Sequence, residues 1–335
     1  MKKYLYFIGI DVSKLKLDVT ICKENELHQS HHFIVTNDKK GLKELLDYLK
    51  KRTIISSDVL FSFEDTGVYS MPLCCFLSDV GLDYWMIPAI EIKRSKGLVR
   101  GKSDKADSKD IAIYSHTHFY KLRLGKIPEK DLLKLRILFT EREKLLKAIK
   151  GLDSTKEGLE YMPKEVYKEI ERLNKSTINH LKKAVEKIEK RMQEIVKANE
   201  ELHQQNKLIQ SIPGLGPMTS IYLILVTKGF TTFKNSRQLS CYAGVAPFEY
   251  SSGSSIKGRI KVSHFADKKL KSLLNMCAMN AKKCDPELKL YYERKLEEGK
   301  SKMLVLNNIR CKLLGRVFAV INRGTAYVNI QKFAA

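Results

Sequence analysis

Long hydrophobic runs are missing from this sequence. The longest apolar stretches, residues 4–10 and 221–226, fall far short of the roughly 20 residues that a helix needs to cross a bilayer, which argues against a membrane-spanning helix. Met1-Lys2-Lys3 followed by an apolar run superficially resembles a signal peptide, but Asp11 interrupts it and no small-residue cleavage site follows, so the run reads as a strand. Paired cysteines are missing too. Cys22, Cys74, Cys75, Cys241, Cys277, Cys284 and Cys311 are odd in number, scattered and without a CxxC pair, which supports neither a disulfide framework nor a zinc site and fits a reducing cytoplasm. Acidic residues are the other shortage. Against 38 Asp and Glu stand 61 Lys and Arg, a net charge of +23, and such an excess predicts a polyanionic partner: nucleic acid or an acidic membrane surface.

The remaining composition is that of a folded protein. Hydrophobic residues make up 43% and charged residues 30%, which argues against disorder and collagen-like repeats. The 335 residues exceed what one hydrophobic core supports and predict two or three domains. The charge is unevenly placed: +2 over residues 1–118, +7 over 119–210 and +14 over 211–335. A nearly neutral first region joined to a basic last one suggests a division of labour, with nucleic-acid binding favoured over a merely solvated surface.

Residues 4–11, 17–23 and 29–36 read as strands, followed by a helix over 38–51, a short buried-type strand over 59–63, a helix near 70–80 and a strand over 84–87. This predicts a mixed α/β layer. From about 128 to 210 the texture is helical and charged. Asn174, Ile178, Leu181, Val185, Ile188, Met192, Ile195, Asn199 and Leu202 alternate spacings of four and three, a heptad seam that predicts a coiled coil, by self-association or packed against residues 129–150. Ile212-Pro213-Gly214-Leu215-Gly216-Pro217 then runs into an apolar helix over 218–227. A Gly-x-Gly turn ahead of a helix can present backbone N–H groups of Gly214 and Gly216 to a phosphate, as in a helix-hairpin-helix element, or can simply join two helices. Helices are expected over 238–246, 268–283, 286–298 and 301–321, with 247–263 as a Gly/Ser-rich basic loop.

Four carboxylates stand out by placement. Asp11 ends the first strand, Glu64 follows the strand at 59–63, and Asp104 and Asp107 lie three apart in Lys102-Ser103-Asp104-Lys105-Ala106-Asp107, a spacing that shares a helix face. Such a set can hold two divalent cations for in-line displacement at a phosphate, and oxygen ligands suit Mg²⁺ or Mn²⁺. Each acid could instead be a helix cap or a surface ion pair. Gly9-Ile10-Asp11 also opens actin-like ATPases, but the second Gly-rich phosphate loop that those need is missing. In the basic loop, Ser251, Ser252, Ser254 and Ser255 with Lys257, Arg259 and Lys261 suit a DNA phosphate. A serine there could serve as nucleophile, although a Ser/Gly loop is usually a linker.

Taken together and in order, these segments resemble the DEDD transposases of bacterial insertion sequences, the bridge-RNA-guided recombinases related to Piv-type DNA invertases. The resemblance rests on Gly9-Ile10-Asp11-Val12-Ser13-Lys14, Glu64-Asp65-Thr66-Gly67, Lys102-Ser103-Asp104-Lys105-Ala106-Asp107, Ile212-Pro213-Gly214-Leu215-Gly216, and Tyr242-Ala243-Gly244-Val245-Ala246-Pro247 followed by Ser252-Gly253. It implies a RuvC-like (RNase H fold) domain over 1–125, a helical coiled-coil dimerisation segment over 126–206, and a mainly helical transposase domain over 207–335. It further implies Asp11, Glu64, Asp104 and Asp107 as a catalytic metal tetrad for Mg²⁺ or Mn²⁺, Ser252 as nucleophile with Ser251 as nearest rival, and Lys102, Gly214, Gly216, Lys257, Arg259 and Lys261 on nucleic acid. The implied partners are donor and target double-stranded DNA, a structured guide (bridge) RNA, and further copies of the chain as a dimer that assembles to a tetramer, in the bacterial cytoplasm. Where the family often has S-K-x-G-N, this chain reads Ser263-His264-Phe265-Ala266-Asp267. A metal-dependent nuclease or junction resolvase that uses water as nucleophile is the alternative.

Overall fold

The aromatic and β-branched run near the start forms strand β1 (Tyr6–Val12), the centre of a five-stranded sheet. In the computed structural model of the chain, residues 3–97, 101, 103–127, 129–159, 161–252 and 256–329 are described. They fall into two units, Met1–Ile127 and Pro128–Ala335.

The first unit runs β1, β2 (Lys16–Lys23), β3 (Glu26–Thr36), α1 (Lys39–Lys51), β4 (Val59–Glu64), α2 (Met71–Asp79), β5 (Tyr84–Ile87), α3 (Ala89–Ser95) and α4 (Asp104–Thr117). The sheet order is β3-β2-β1-β4-β5, with β2 antiparallel to β1 and β3, and β1, β4 and β5 mutually parallel. Because successive side chains point to opposite faces of a strand, each central strand feeds two cores. Ile8 and Ile10 of β1 and Phe61 and Phe63 of β4 pack with Leu42, Leu45, Leu73 and Leu77 of α1 and α2. Phe7 and Leu60, one step out of phase, pack with Trp85, Ile111 and Tyr114 on the α4 face. Gly9, Asp11, Ser62 and Glu64 share that second phase, so alternation alone turns both strand-end acids towards α4. The helix approaches the sheet at Gly9, where an added Cβ would lie 2.0 Å from the Ser108 carbonyl oxygen and 2.4 Å from the Ala112 nitrogen. A hydrogen bond of 2.7 Å between the buried Thr20 and Ser108 hydroxyls pins the same helix to β2.

The second unit runs α5 (Lys130–Leu159), α6 (Lys164–Ala198), α7 (Glu200–Gln210), α8 (Pro217–Thr227), α9 (Ser236–Tyr242), β6 (Pro247–Ser252), β7 (Ile256–Val262), α10 (Lys268–Cys284), α11 (Pro286–Glu297) and α12 (Lys302–Arg323). Helices α5 and α6 form an antiparallel hairpin: Arg142 Nε donates to Glu189 at 2.6 Å, and Asn199 faces Asp131 from the opposite ends. The heptad seam is not one continuous helix. Asn199 leaves the helical conformation after α6, and its side chain caps α7 by accepting from Leu202 N at 3.1 Å, which is why a polar residue stands there. Met192, Ile195, Val196 and Leu202 share one core with Leu132, Leu135 and Phe139 of α5 and with Leu274, Ile309 and Leu313 of α10 and α12. The helices of residues 126–206 and the elements after 207 therefore belong to the same unit.

A second expectation needs correction. Residues 247–263 form a β-hairpin rather than a Gly/Ser loop, with Phe248 paired to Lys261 and Ser252 to Ile256. Alternation through Phe248, Tyr250, Ile256, Ile260 and Val262 carries the strands, and the Ser/Gly content is concentrated at residues 251–255. Among the described residues no helix is long and apolar enough to cross a membrane.

Candidate active site

The tetrad expected from sequence gathers at one end of the first unit's sheet. Asp11 and Glu64 leave the adjacent parallel strands β1 and β4, whose register runs from Tyr6 opposite Val59 to Ile10 opposite Phe63. Asp104 and Asp107 occupy the first turn of α4, where the helix dipole favours carboxylates. Neither of them is the cap. Ser103 takes that place, accepting from Ala106 N at 3.2 Å.

The electrostatics of Asp11 record the convergence. Burial, then the charges of Asp107, Asp104, Asp18 and Glu64, push its carboxyl up from 3.8 to about 6. All three other tetrad members thus act on Asp11 at once. Two lysines stand among the acids. Lys16 Nζ lies 2.8 Å from Asp104 Oδ2 and 3.0 Å from Asp18 Oδ2, and these two partners hold its ammonium above the usual lysine range. Lys96 Nζ lies 2.5 Å from Asp107 Oδ1 and 2.9 Å from Asp110 Oδ2.

A divalent cation fits this chemistry. The donor set consists of carboxylate oxygens, the choice of Mg²⁺ and Mn²⁺, and Asp11 is raised by burial and then by the neighbouring carboxylates. Beside Glu64, Thr66 Oγ1 is buried without a hydrogen-bond partner among the described residues. The acids do not yet form a closed ligand set: among the described residues no three His, Cys, Asp or Glu side chains are gathered closely enough to hold an ion.

Sequence reasoning missed Lys16, Asp18, His32, Lys96 and Asp110. Asp18 sits directly opposite Asp11 across the β1–β2 ladder and is 3% exposed, with His32 Nε2 3.1 Å from its Oδ1. The signal was present, because a short turn between antiparallel strands at 4–11 and 17–23 pairs Asp11 with a residue near 18.

In the second unit, Ser252 is the last residue of β6 and Ser251 pairs with Lys257 of β7. Residues 253–255 lie outside the described residues, as does Lys102. Lys257 and Arg259 are placed by backbone on β7, and Lys261 is exposed on the same strand. The hairpin is anchored at its base, where Arg237 Nη2 donates to the Pro247 carbonyl at 3.2 Å and its guanidinium lies 5.9 Å from the Phe248 ring centroid. Packing accounts for one of the two glycines of the expected helix-hairpin-helix turn, Gly214, while a Cβ added at Gly216 would meet nothing within 4 Å. Gly214 has φ +94° and would bring a Cβ within 2.6 Å of Ala281 Cβ on α10. Gly216 starts α8 beside the buried Cys277 thiol, which takes a hydrogen bond from its backbone.

An α/β unit that presents carboxylates on strand ends and a helix start, joined to a basic helical unit, has the composition of a nucleic-acid-processing protein. Comparison with known proteins narrows the class. Residues 8–155 match the family profile described as Transposase, the DEDD domain of IS110-type elements, and residues 206–293 match the Transposase IS116/IS110/IS902 family. The chain is similar to the pilin gene-inverting proteins of Moraxella lacunata and Moraxella bovis, 24% identical over 96% of this chain and 97% of each relative. It is also similar to the insertion element IS110 uncharacterized 43.6 kDa protein of Streptomyces coelicolor, 30% identical over 38% of this chain and 31% of that protein. The chain belongs to the DEDD insertion-sequence transposases, enzymes that cleave and recombine DNA.

Proposed function

We propose that this transposase cuts and rejoins DNA through a covalent phosphoserine intermediate, under the guidance of a structured RNA, with an RNase H-like first unit holding the divalent metal. The carrying observation is placement: Asp11 and Glu64 leave adjacent parallel strands on the face that α4 covers, and Asp104 and Asp107 occupy the first turn of that helix, with Asp11 raised by burial and then by Asp107, Asp104, Asp18 and Glu64. The sheet order β3-β2-β1-β4-β5, with one acid each on β1 and β4 and a pair on the helix that packs across β1, is the arrangement expected of an RNase H-like unit.

Asp11, Glu64, Asp104 and Asp107 would hold Mg²⁺ or Mn²⁺, which when bound neutralises the scissile phosphate and acidifies a nearby hydroxyl. Ser252 Oγ attacks phosphorus in line, forming the O–P bond as the bond to the leaving sugar oxygen breaks. The serine proton passes to solvent, and the leaving oxygen is protonated. Attack by the hydroxyl of another strand reverses the step and frees the serine, so bond energy is conserved and no nucleotide cofactor is needed. Lys257, Arg259 and Lys261 neutralise neighbouring backbone phosphates, with Lys102, Gly214 and Gly216 as further backbone contacts. Recognition of sequence falls to RNA pairing with donor and target DNA, while the protein reads backbone and shape. Two dimers, in contact through the α5–α6 hairpin, would bring donor and target together in the cytoplasm.

Two full-length relatives are called gene-inverting proteins, and inversion rejoins every strand that it cuts. That favours a covalent intermediate over release by water. The test is a denaturing gel of protein co-expressed with RNA from its flanking DNA, incubated with Mg²⁺ and labelled junction DNA. The expected result is a protein–DNA adduct that Ser252→Ala abolishes and Ser251→Ala leaves. Cleaved DNA without adduct would establish the water-using nuclease instead.

A further inference from the structure

Each aspartate at the start of α4 is held by a lysine that also holds a second aspartate outside the tetrad. Lys16 bridges Asp104 and Asp18, at 2.8 and 3.0 Å. Lys96 bridges Asp107 and Asp110, at 2.5 and 2.9 Å. The lysines come from different elements, Lys16 from the start of β2 and Lys96 from the end of α3, so the repeated pattern does not follow from the spacing of a single helix. The outer aspartates are fixed in place. Asp18 is 3% exposed and receives His32 Nε2 at 3.1 Å, and Asp110 stands one helical turn beyond Asp107 on α4.

We propose that Lys16 and Lys96 are built-in counter-cations of the acidic site, each releasing its tetrad aspartate to an arriving divalent cation while remaining seated on its second aspartate. Asp18 and Asp110 are then positioning residues for metal uptake. Like charges directly across a β ladder are unfavourable, and Asp11 faces Asp18 in that manner, so without metal the site needs cations of its own. An ammonium placed on a metal-facing oxygen competes with the metal for it. A lysine with no second carboxylate would be left unpaired beside a divalent ion, whereas a lysine with a seat only exchanges one partner for none and keeps the other. The side chain of Lys16 is 43% exposed, which gives it room to withdraw and to tolerate substitution.

The inference rests on the metal-binding role proposed for the tetrad, and the experiment separates the two. Full-length protein without DNA is titrated with Mn²⁺ by calorimetry, comparing wild type with Lys16→Met, Asp18→Asn, the double variant and Asp11→Asn. Removing the competing cation is expected to tighten Mn²⁺ binding by roughly two- to fivefold, the range of one partly exposed ion pair. Asp18→Asn is expected to weaken it, because the lysine then has Asp104 as its remaining carboxylate. The double variant is expected to lie close to Lys16→Met, because the seat acts mainly through the lysine and the charge of Asp18 adds a smaller through-space pull at Asp11. A loss from Asp18→Asn that persists undiminished in the Lys16→Met background would mean that Asp18 acts on the metal directly and would overturn the proposal. So would Asp11-dependent uptake that Lys16→Met leaves unchanged or weakens. Wild-type protein without Asp11-dependent uptake would overturn the metal role itself, and this inference with it. Lys96→Met gives an independent arm with the same expected direction should a β2 variant fail to fold.

Discussion

Replacing Gly9 with alanine should damage both the stability of the first unit and its metal site. The added Cβ would lie 2.0 Å from the Ser108 carbonyl oxygen, 2.4 Å from the Ala112 nitrogen and 3.0 Å from the Ala112 Cα, all backbone atoms of α4 that cannot rotate away. Relief requires the helix to lift from β1 by an ångström or more. Overpacking of this kind costs on the order of 3 kcal/mol, which for a unit of this size lowers the Tm by roughly 10 °C. The same displacement carries Asp104 and Asp107 away from Asp11. Metal–ligand distances tolerate only about 0.2 Å, so Mn²⁺ affinity should fall at least tenfold or so. The assay is thermal unfolding followed by Mn²⁺ titration at a temperature where the variant is folded. Gly315→Ala is the control: it sits within α12, an added Cβ meets nothing within 4 Å, and alanine should there stabilise by about 0.5–1 kcal/mol. A Gly9→Ala protein with wild-type Tm and wild-type metal affinity would refute the claim that α4 rides on this glycine.

Asp11 supplies a pH prediction. Its carboxyl is raised from 3.8 to about 6, so between those values the folded state binds more protons than the unfolded chain and stability falls as pH rises, the penalty being complete above about pH 6. After allowance for solvent screening of a half-buried group, Asp11→Asn should stabilise the chelator-treated protein by about 1–2 kcal/mol at pH 8 and hardly at all near pH 4, measured by denaturant unfolding. An Asn variant less stable than wild type at pH 8 would show that the neighbouring acids do not burden Asp11. Lys261→Ala should weaken DNA binding evenly across sequences and reduce the slope of log affinity against log salt by about one unit. A changed sequence preference with an unchanged slope would move Lys261 from backbone neutralisation to base contact.

Much of the site was legible because its acids mark the ends of local elements. Asp11 terminates a β-branched run, Glu64 follows another, and Asp104 and Asp107 follow a serine that the structure makes the helix cap. Local sequence carries such signals in full. Residues 247–263 misled because serine and glycine dominate the composition while the period-two pattern of Phe248, Tyr250, Ile256, Ile260 and Val262 carries the pairing. The heptad seam misled in another way. Its spacing continues through Asn199, but an asparagine can satisfy a heptad position or cap a helix, and here it caps.

By itself the sequence determined the order and kind of most elements, the basic character of the second unit and the residues able to bear phosphate chemistry, because these depend on side-chain type and short-range periodicity. Tertiary structure decided which charges meet. Lys16 and Asp104 are 88 residues apart, and Lys96 reaches Asp107 and Asp110 from just beyond the end of α3. Those contacts exist because β2 pairs with β1 in one register and α4 descends onto Gly9. Pairing register and helix docking are set by the burial of two separate cores, and that burial is a property of the folded chain rather than of any local segment of it.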